Sequence, residues 1–302
     1  MNNKKIKIGE QTTWDSHFIG WKPAIDALQK FHNPEGILFI GYLDEEAPFK
    51  YIKEKYIGFF HHLPNNSENI KNQDWCKNLK GLDFYLETEI WKSNEKKCKG
   101  IFTLCKYLAE YIKTKTYVPV ENLYFPIPEQ KIKFDWWKFL SNKNKKLLHP
   151  GNWVRNFNAF NEVRSPYQKA VTAGNWLFQN RNPDIEVLGY MTKEAYEKTI
   201  CENIVFQCFY DVAASNTIIE CISKNIPLII NRLPAAEEYL GKDYPLFYNT
   251  ISEAENILFE IDKIFNGFKY LEKMNKSHLS LEKFANDFYN SKIYQNIKIP
   301  KY

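Results

Sequence analysis

Short apolar runs alternate along the chain with segments whose apolar residues recur at helical spacing. Lys5–Gly9 alternates polar and apolar residues and predicts a first strand, and the polar, aromatic stretch Thr12–Gly20 predicts a loop. Lys22–Phe31 places Ile25 and Leu28 at helical spacing, with Pro23 suited to a first helical turn. Gly36–Leu43 and Tyr56–His61 predict strands separated by acidic Asp44–Ala47, and the second runs into His61-His62-Leu63-Pro64. Cys98–Leu104 and Val118–Phe125 predict further strands with the helix Lys106–Lys113 between them. Strand and helix in alternation predict a mostly parallel sheet with helices on its faces.

Phe125–Lys145, with two prolines, five lysines and Trp136-Trp137, interrupts this pattern and predicts a linker. The alternation then restarts. Lys146–His149 predicts a strand opening onto the loop Gly151–Asn156, followed by a helix at Ala159–Val163 and a strand at Glu186–Leu188. The series continues with the helix Thr192–Asn203, the strand Ile204–Cys208, the helix Asn216–Lys224, the strand Pro227–Asn231 and a helix from Ala235. Ile251–Asn275 and Leu279–Tyr289 predict long amphipathic helices. The expected α/β architecture is two doubly wound halves: residues 1–125, a linker 126–145, residues 146–280, and a C-terminal segment 281–302.

Composition narrows the function classes. At 302 residues, 25% charged and 44% hydrophobic, the chain can bury a sizeable core and is not of disordered composition. The net charge of +5 is spread without a basic stripe, which argues against a nucleic-acid partner. No apolar run approaches the roughly 20 residues of a membrane span, and residues 2–13 lack the apolar core of a secretory signal. The six cysteines show no ligand spacing, so free thiols in a cytoplasmic protein are expected, with peripheral membrane association and oligomeric state left open. Arginine is rare: Arg155, Arg164, Arg181 and Arg232 all lie in the second half. Their rigid forks suit phosphate oxygens.

Several chemistries are absent. There is no G-x-G pair for a dinucleotide fingerprint, no P-loop, no G-x-S-x-G and no H-E-x-x-H. No D-x-D could hold a divalent metal on a sugar diphosphate, so a metal-free cleft binder is expected, with no cofactor.

The segment Asp211–Leu246 carries the most information. A loop of small residues, Ala213 to Asn216, opens a helix, and Ser215 or Asn216 suits its N-cap. Free backbone N–H groups there form an anion site, and Glu220 lies one turn beyond Asn216 on the same face. The next strand ends in Asn231-Arg232, and Glu237 and Glu238 begin another helix.

This segment resembles the donor site of GT-B fold glycosyltransferases, whose C-terminal Rossmann-like domain has a small-residue loop, a helix bearing a ribose-binding Glu, a strand, and a Gly/Glu-containing loop. The matching positions here are Ala214–Asn216, Glu220, Pro227–Asn231 and Glu237–Gly241. Leu147–Asn156 resembles the first strand and phosphate-facing loop of that domain, with Gly151 and Asn152 in the loop and Arg155 placed to meet diphosphate. The resemblance implies two Rossmann-like domains facing each other across a cleft, with C-terminal helices returning to the N-terminal domain. It implies Gly151, Asn152, Arg155, Ser215, Asn216, Glu220, Asn231, Arg232 and Glu237 as donor-binding residues, with a nucleotide sugar as co-substrate and a glycan acceptor. One departure stands: the E-x7-E pair of many retaining members is absent, because position 212 is Val and position 228 is Leu. That leaves retention or inversion open.

The expected reaction is metal-independent sugar transfer to a glycan or other hydroxyl acceptor, assisted by a base from the N-terminal half. Asp15 and His17, in the loop after the first strand, are the first candidates, and His61 at a strand end is the second. Trp153 reads as a core residue, with a nucleobase platform as the alternative. Glu220 is expected to face the cleft with no core to support. A noncatalytic carbohydrate- or nucleotide-binding protein on the same scaffold is the alternative reading.

Overall fold

Five strands, β1 (Ile6–Ile8), β2 (Ile37–Ile40), β3 (Tyr56–Phe59), β4 (Cys98–Thr103) and β5 (Val120–Asn122), pair in parallel in that order. A second parallel sheet, ordered β11-β10-β9-β6-β7-β8, comprises β6 (Lys146–His149), β7 (Gln168–Val171), β8 (Glu186–Val187), β9 (Ile204–Gln207), β10 (Leu228–Asn231) and β11 (Phe247–Tyr248). These features belong to a computed structural model that describes residues 4–9, 21–64, 81–172 and 181–298. The chain divides into two compact units, residues 1–128 with 276–302, and residues 129–275.

The two sheets are wound differently. The second is doubly wound: from β6 the chain steps outward to β7 and β8, then returns to β9 on the other side of β6. This reversal makes a switch point between β6 and β9, where parallel sheets bind ligands at the carboxyl ends of their strands. The first sheet departs from the expected doubly wound order, because its described strands run in sequence from one edge to the other. Hydrophobic pattern specifies that strands are buried but not their order, which depends on the side to which each crossover returns.

In the first unit the core is aromatic. Phe39, Phe59 and Phe102 project from β2, β3 and β4, all fully buried. The helix Leu281–Asn290 covers them, with the Phe288 ring 6.2 Å from Phe39 and 5.2 Å from Phe102. Ser280 Oγ caps this helix by accepting from the Lys283 N–H. Gly100 in β4 lies so close to Ile293 that a Cβ there would stand 2.3 Å from a side-chain carbon. The C-terminal segment is therefore part of the first unit's core.

The expected linker is ordered in its second part. Asp135 accepts hydrogen bonds from the Trp137 and Lys138 N–H groups and starts the helix Trp136–Ser141. Trp136 packs 4.9 Å from Phe265, and the Phe134 N–H donates to the Lys224 carbonyl. Aromatic burial outweighs the polar composition that reads as linker. The expected single helix over 251–275 divides at Glu260, whose extended backbone separates Ile251–Phe259 from Ile261–Lys273. Strand β7 escapes the sequence reading because Gln168 and Lys169 break its apolar pattern. The Lys169 ammonium instead donates to three carbonyls, those of Phe160, Asn161 and Val163, at the end of the preceding helix. No helix among the described residues is long and apolar enough to cross a membrane.

Candidate functional site

At the switch point of the second sheet, the loops leaving β6 and β9 are tied together. The Asn156 N–H donates to the Cys208 carbonyl at 2.7 Å and the Tyr210 N–H to the Val154 carbonyl at 3.0 Å, an antiparallel bridge between Arg155 and Phe209. Val154 adopts φ +52, a left-handed conformation costly for a β-branched residue, on the order of 1–3 kcal/mol. The cross-loop bonds hold it there. Gly151 has φ +74, and a Cβ on it would stand 2.9 Å from Arg155 Cζ. Glycine therefore meets both the backbone demand and the close approach of the guanidinium.

Arg155 is the centre of this arrangement and only 9% exposed. Its Nε donates to Gln207 Oε1 at 2.6 Å, Nη1 to the Trp153 carbonyl at 2.9 Å and Nη2 to Thr217 Oγ1 at 2.9 Å. The guanidinium carbon also sits 4.9 Å from the Phe209 ring centroid. Each of these partners is neutral, and among the described residues no carboxylate pairs with Arg155. Burial lowers its pKa to about 10, which leaves it protonated at neutral pH. Neighbouring His149 adds no charge, because burial and then Arg155 push its pKa down to about 3. Its ring lies 4.9 Å from Phe160, with Nδ1 beside the Phe206 carbonyl and Nε2 without a partner. The other three arginines are met locally: Arg164 by Glu255, Arg232 by Glu237, and Arg181 by the Ile185 carbonyl.

The helix Asn216–Lys224 begins at this arginine through Thr217. Ser215 takes the N-cap position, yet its buried Oγ caps nothing and has no hydrogen-bond partner. Asn216 is half-buried as the first residue of the helix, and Asn152 lies half-buried in the β6 loop with its carbonyl accepting the Arg155 N–H. Trp153, in the same loop, is 45% exposed and so is not a core residue.

Glu220 corrects an expectation. It is 4% exposed and inside the unit. Its Oε2 accepts from the Tyr196 hydroxyl at 2.8 Å, and Oε1 lies 3.3 Å from the fully buried Lys224 ammonium, which is also 3.4 Å from Glu197. Burial raises its pKa, against the opposing pull of Lys224. The small residues of the preceding loop let the helix pack deeply, so its fifth position points inward. Asn231 clamps the β9 loop, accepting from the Phe209 N–H at 2.8 Å and donating to the Phe209 carbonyl at 2.9 Å. Arg232 and Glu237 pair with each other at 2.5 Å.

A second polar cluster lies in the first unit, at the carboxyl ends of β2 and β3. Asp44 is 1% exposed; its Oδ1 accepts from the His61 N–H at 2.9 Å, and its Oδ2 bonds His62 Nδ1. His61 places Nε2 2.8 Å from the Gly41 carbonyl, and its ring stacks 4.4 Å from Tyr42. Burial lowers the His61 pKa. It opposes the charged form of His62 as well, but Asp44 overrides it and raises that ring above the ordinary value. Burial alone would raise the Asp44 carboxyl, yet His62, then His61, hold it below the usual carboxylate value. Asp15 and His17 lie outside the described residues. Sequence reasoning missed Gln207, Thr217, Tyr196 and Lys224 in the second unit, and Asp44 and His62 in the first. The doubled histidine and the polar residue closing an apolar strand were the available signals.

No family model matches the sequence, and no curated protein matches it. Solved structures are similar. TarM aligns with a TM-score of 0.62 at 12% identity, over 89% of this chain and 58% of its own. Sucrose-phosphate synthase from Thermosynechococcus elongatus gives 0.60 at 11% identity, over 83% of this chain and 71% of its own. The pneumococcal O-GlcNAc transferase GtfA, solved with UDP and GlcNAc, gives 0.55 at 11% identity over 88% and 58%. The chain thus spans a little over half the length of TarM and GtfA. The likeness shows the fold: two parallel Rossmann-like α/β sheets of the GT-B type.

Proposed function

We propose that the chain is a glycosyltransferase that takes its sugar from a nucleotide-sugar donor and passes it to a hydroxyl acceptor without a metal. The observation that carries this reading is Arg155, a buried cation that no carboxylate among the described residues pairs with, at the switch point of the second sheet. A buried charge with only neutral partners is costly, and an arriving anion offsets that cost. Thr217 and the unpartnered Ser215 hydroxyl at the helix start add donors for phosphate oxygens. The exposed Trp153 ring offers a face to the base.

With no D-x-D in the sequence, the diphosphate charge falls to Arg155 and the helix start rather than to Arg232, which Glu237 already holds. Turnover should survive EDTA; loss restored only by Mn²⁺ or Mg²⁺ would overturn this part. Donor recognition is tested by thermal shift of the full chain against UDP, GDP, TDP and CMP and their sugars. One nucleotide raising Tm in a dose-dependent way supports the reading, and none doing so contradicts it. The noncatalytic alternative predicts the same shift without consumption of donor.

A further inference from the structure

Arg155 uses only part of its hydrogen-bonding capacity on the protein. A guanidinium carries five N–H groups, one on Nε and two on each Nη. Nε donates to Gln207 Oε1, Nη1 to the Trp153 carbonyl and Nη2 to Thr217 Oγ1. Among the described residues that leaves one N–H on each terminal nitrogen, on a side chain that keeps some contact with solvent. Two N–H groups on one planar fork suit two oxygens of a phosphate.

The charge is left available as well. Gln207 ends β9 fully buried, and its Oε1 meets Arg155 at 2.6 Å, the shortest of the three contacts. Buried arginines are ordinarily paired with a carboxylate, which could accept from Nε just as this oxygen does. What the amide adds is a donor: its Nε2 donates to the Pro150 carbonyl at 3.0 Å and lies 3.3 Å from His149 Nδ1. The Pro150 carbonyl can only accept, so the NH2 group faces it and the amide oxygen faces Arg155. The Tyr248 hydroxyl fixes the backbone at the same point, donating to the Gln207 carbonyl at 2.9 Å. The titratable groups that Arg155 faces, His149 and Tyr196, are both kept neutral at pH 7 by burial. Residues 173–180, the one stretch of this unit outside the described residues, contain no Asp or Glu.

We propose that Gln207 sets the charge selectivity of the donor site: it orients Arg155 as a carboxylate would, adds no negative charge, and so leaves the guanidinium for the diphosphate of a nucleotide. The proposal rests on the transferase reading above. A carboxylate at position 207 would close an ion pair inside the unit, and an arriving diphosphate would meet a negative charge behind the arginine. Gln207 acts through Arg155 and is therefore a positioning residue.

Titration calorimetry of the full chain with inorganic pyrophosphate, at low ionic strength, tests this with three variants. Arg155→Met locates the site and should weaken pyrophosphate binding roughly 10- to 150-fold. Gln207→Glu and Gln207→Met both lose the bond to Pro150, but only the glutamate keeps an oxygen for Arg155 Nε. Pyrophosphate should nevertheless bind roughly 10- to 100-fold more weakly in Gln207→Glu, and no more than about 5-fold more weakly in Gln207→Met, the equivalent of one ordinary hydrogen bond. A residue that merely ties Arg155 in place gives the reverse order, with Gln207→Glu near wild type, and that result overturns the proposal. Chemical denaturation reports whether each variant folds. Should Gln207→Glu not fold, Thr217→Asp sets a carboxylate against Nη2 from the first turn of its helix, where a negative charge is favourable, and should give the same loss. Wild-type affinity in a folded Thr217→Asp overturns the proposal. Pyrophosphate bound equally by wild type and Arg155→Met, or not at all by the wild type, defeats the transferase reading on which the proposal stands.

Discussion

Replacing Arg155 with Met separates a ligand-binding arginine from a structural one. The change removes three hydrogen bonds, to Gln207 Oε1, the Trp153 carbonyl and Thr217 Oγ1. At about 1 kcal/mol net for each, the loss is about 3 kcal/mol. Against it stands relief from burying a cation that no carboxylate among the described residues offsets, an effective desolvation cost of several kcal/mol per ion. The two effects nearly cancel, so stability should change by less than about 2 kcal/mol. That corresponds to a Tm shift below about 8 °C in a unit of this size. Nucleotide binding should instead lose a charge-assisted phosphate contact of about 1.5–3 kcal/mol, a roughly 10- to 150-fold weaker Kd. Calorimetric titration with the nucleoside diphosphate found by thermal shift, alongside chemical denaturation, reads both quantities. Wild-type affinity together with a large drop in stability would refute the reasoning and make Arg155 a structural tie between the β6 and β9 loops.

Glu220→Gln leaves Lys224 with Glu197 as its remaining carboxylate and should destabilise the chain by about 1–3 kcal/mol in urea with nucleotide affinity unchanged. Weakened nucleotide affinity with stability unchanged would instead place Glu220 at the ribose, outside the Tyr196–Lys224 network. Gly151→Ala should cost about 1–3 kcal/mol through its φ of +74 and displace Arg155, so that nucleotide affinity falls with it; unchanged affinity would show that the guanidinium can shift without consequence. The Asp44–His62 pair makes stability depend on pH in two directions. Asp44, held below its ordinary 3.8, contributes above that value and loses its contribution as pH falls through the lower folded pKa. His62, raised above 6.5, contributes fully below 6.5 and loses its contribution as pH rises through the higher folded pKa. The denaturation midpoint followed against pH should therefore decline on the alkaline side in the wild type, and that decline should flatten in His62→Gln.

What the sequence made legible follows from what its pattern encodes. Strands such as Ile204–Gln207 and Leu228–Asn231 are continuous apolar runs, so their positions and the second unit's α/β series could be read directly. Arg155 stood out because arginine is rare in a chain whose bases are nearly all lysine. Strand β7 was hidden because Lys169 serves a helix end rather than the sheet face, and the order of the first sheet was hidden because crossover direction leaves no periodic trace. Glu220 was visible as a helix-start carboxylate, but its burial depends on Tyr196 and Lys224, which reach it only through tertiary packing. Asp44 read as one of several acids in a loop. Its function as the anchor of two histidines required β2 and β3 to be neighbours.

The claim that matters most is transfer itself, and donor consumption tests it directly. The full chain is incubated with isotope-labelled UDP-, GDP-, TDP- and CMP-sugars in EDTA, with and without a methyl glycoside acceptor, and release of the nucleotide is followed by mass spectrometry. One donor should be consumed, the acceptor should accelerate its consumption, and Arg155→Met should suppress it at subsaturating donor. A nucleotide sugar that binds at the Arg155 site yet remains intact under all of these conditions would contradict it and leave a binding protein on a GT-B scaffold.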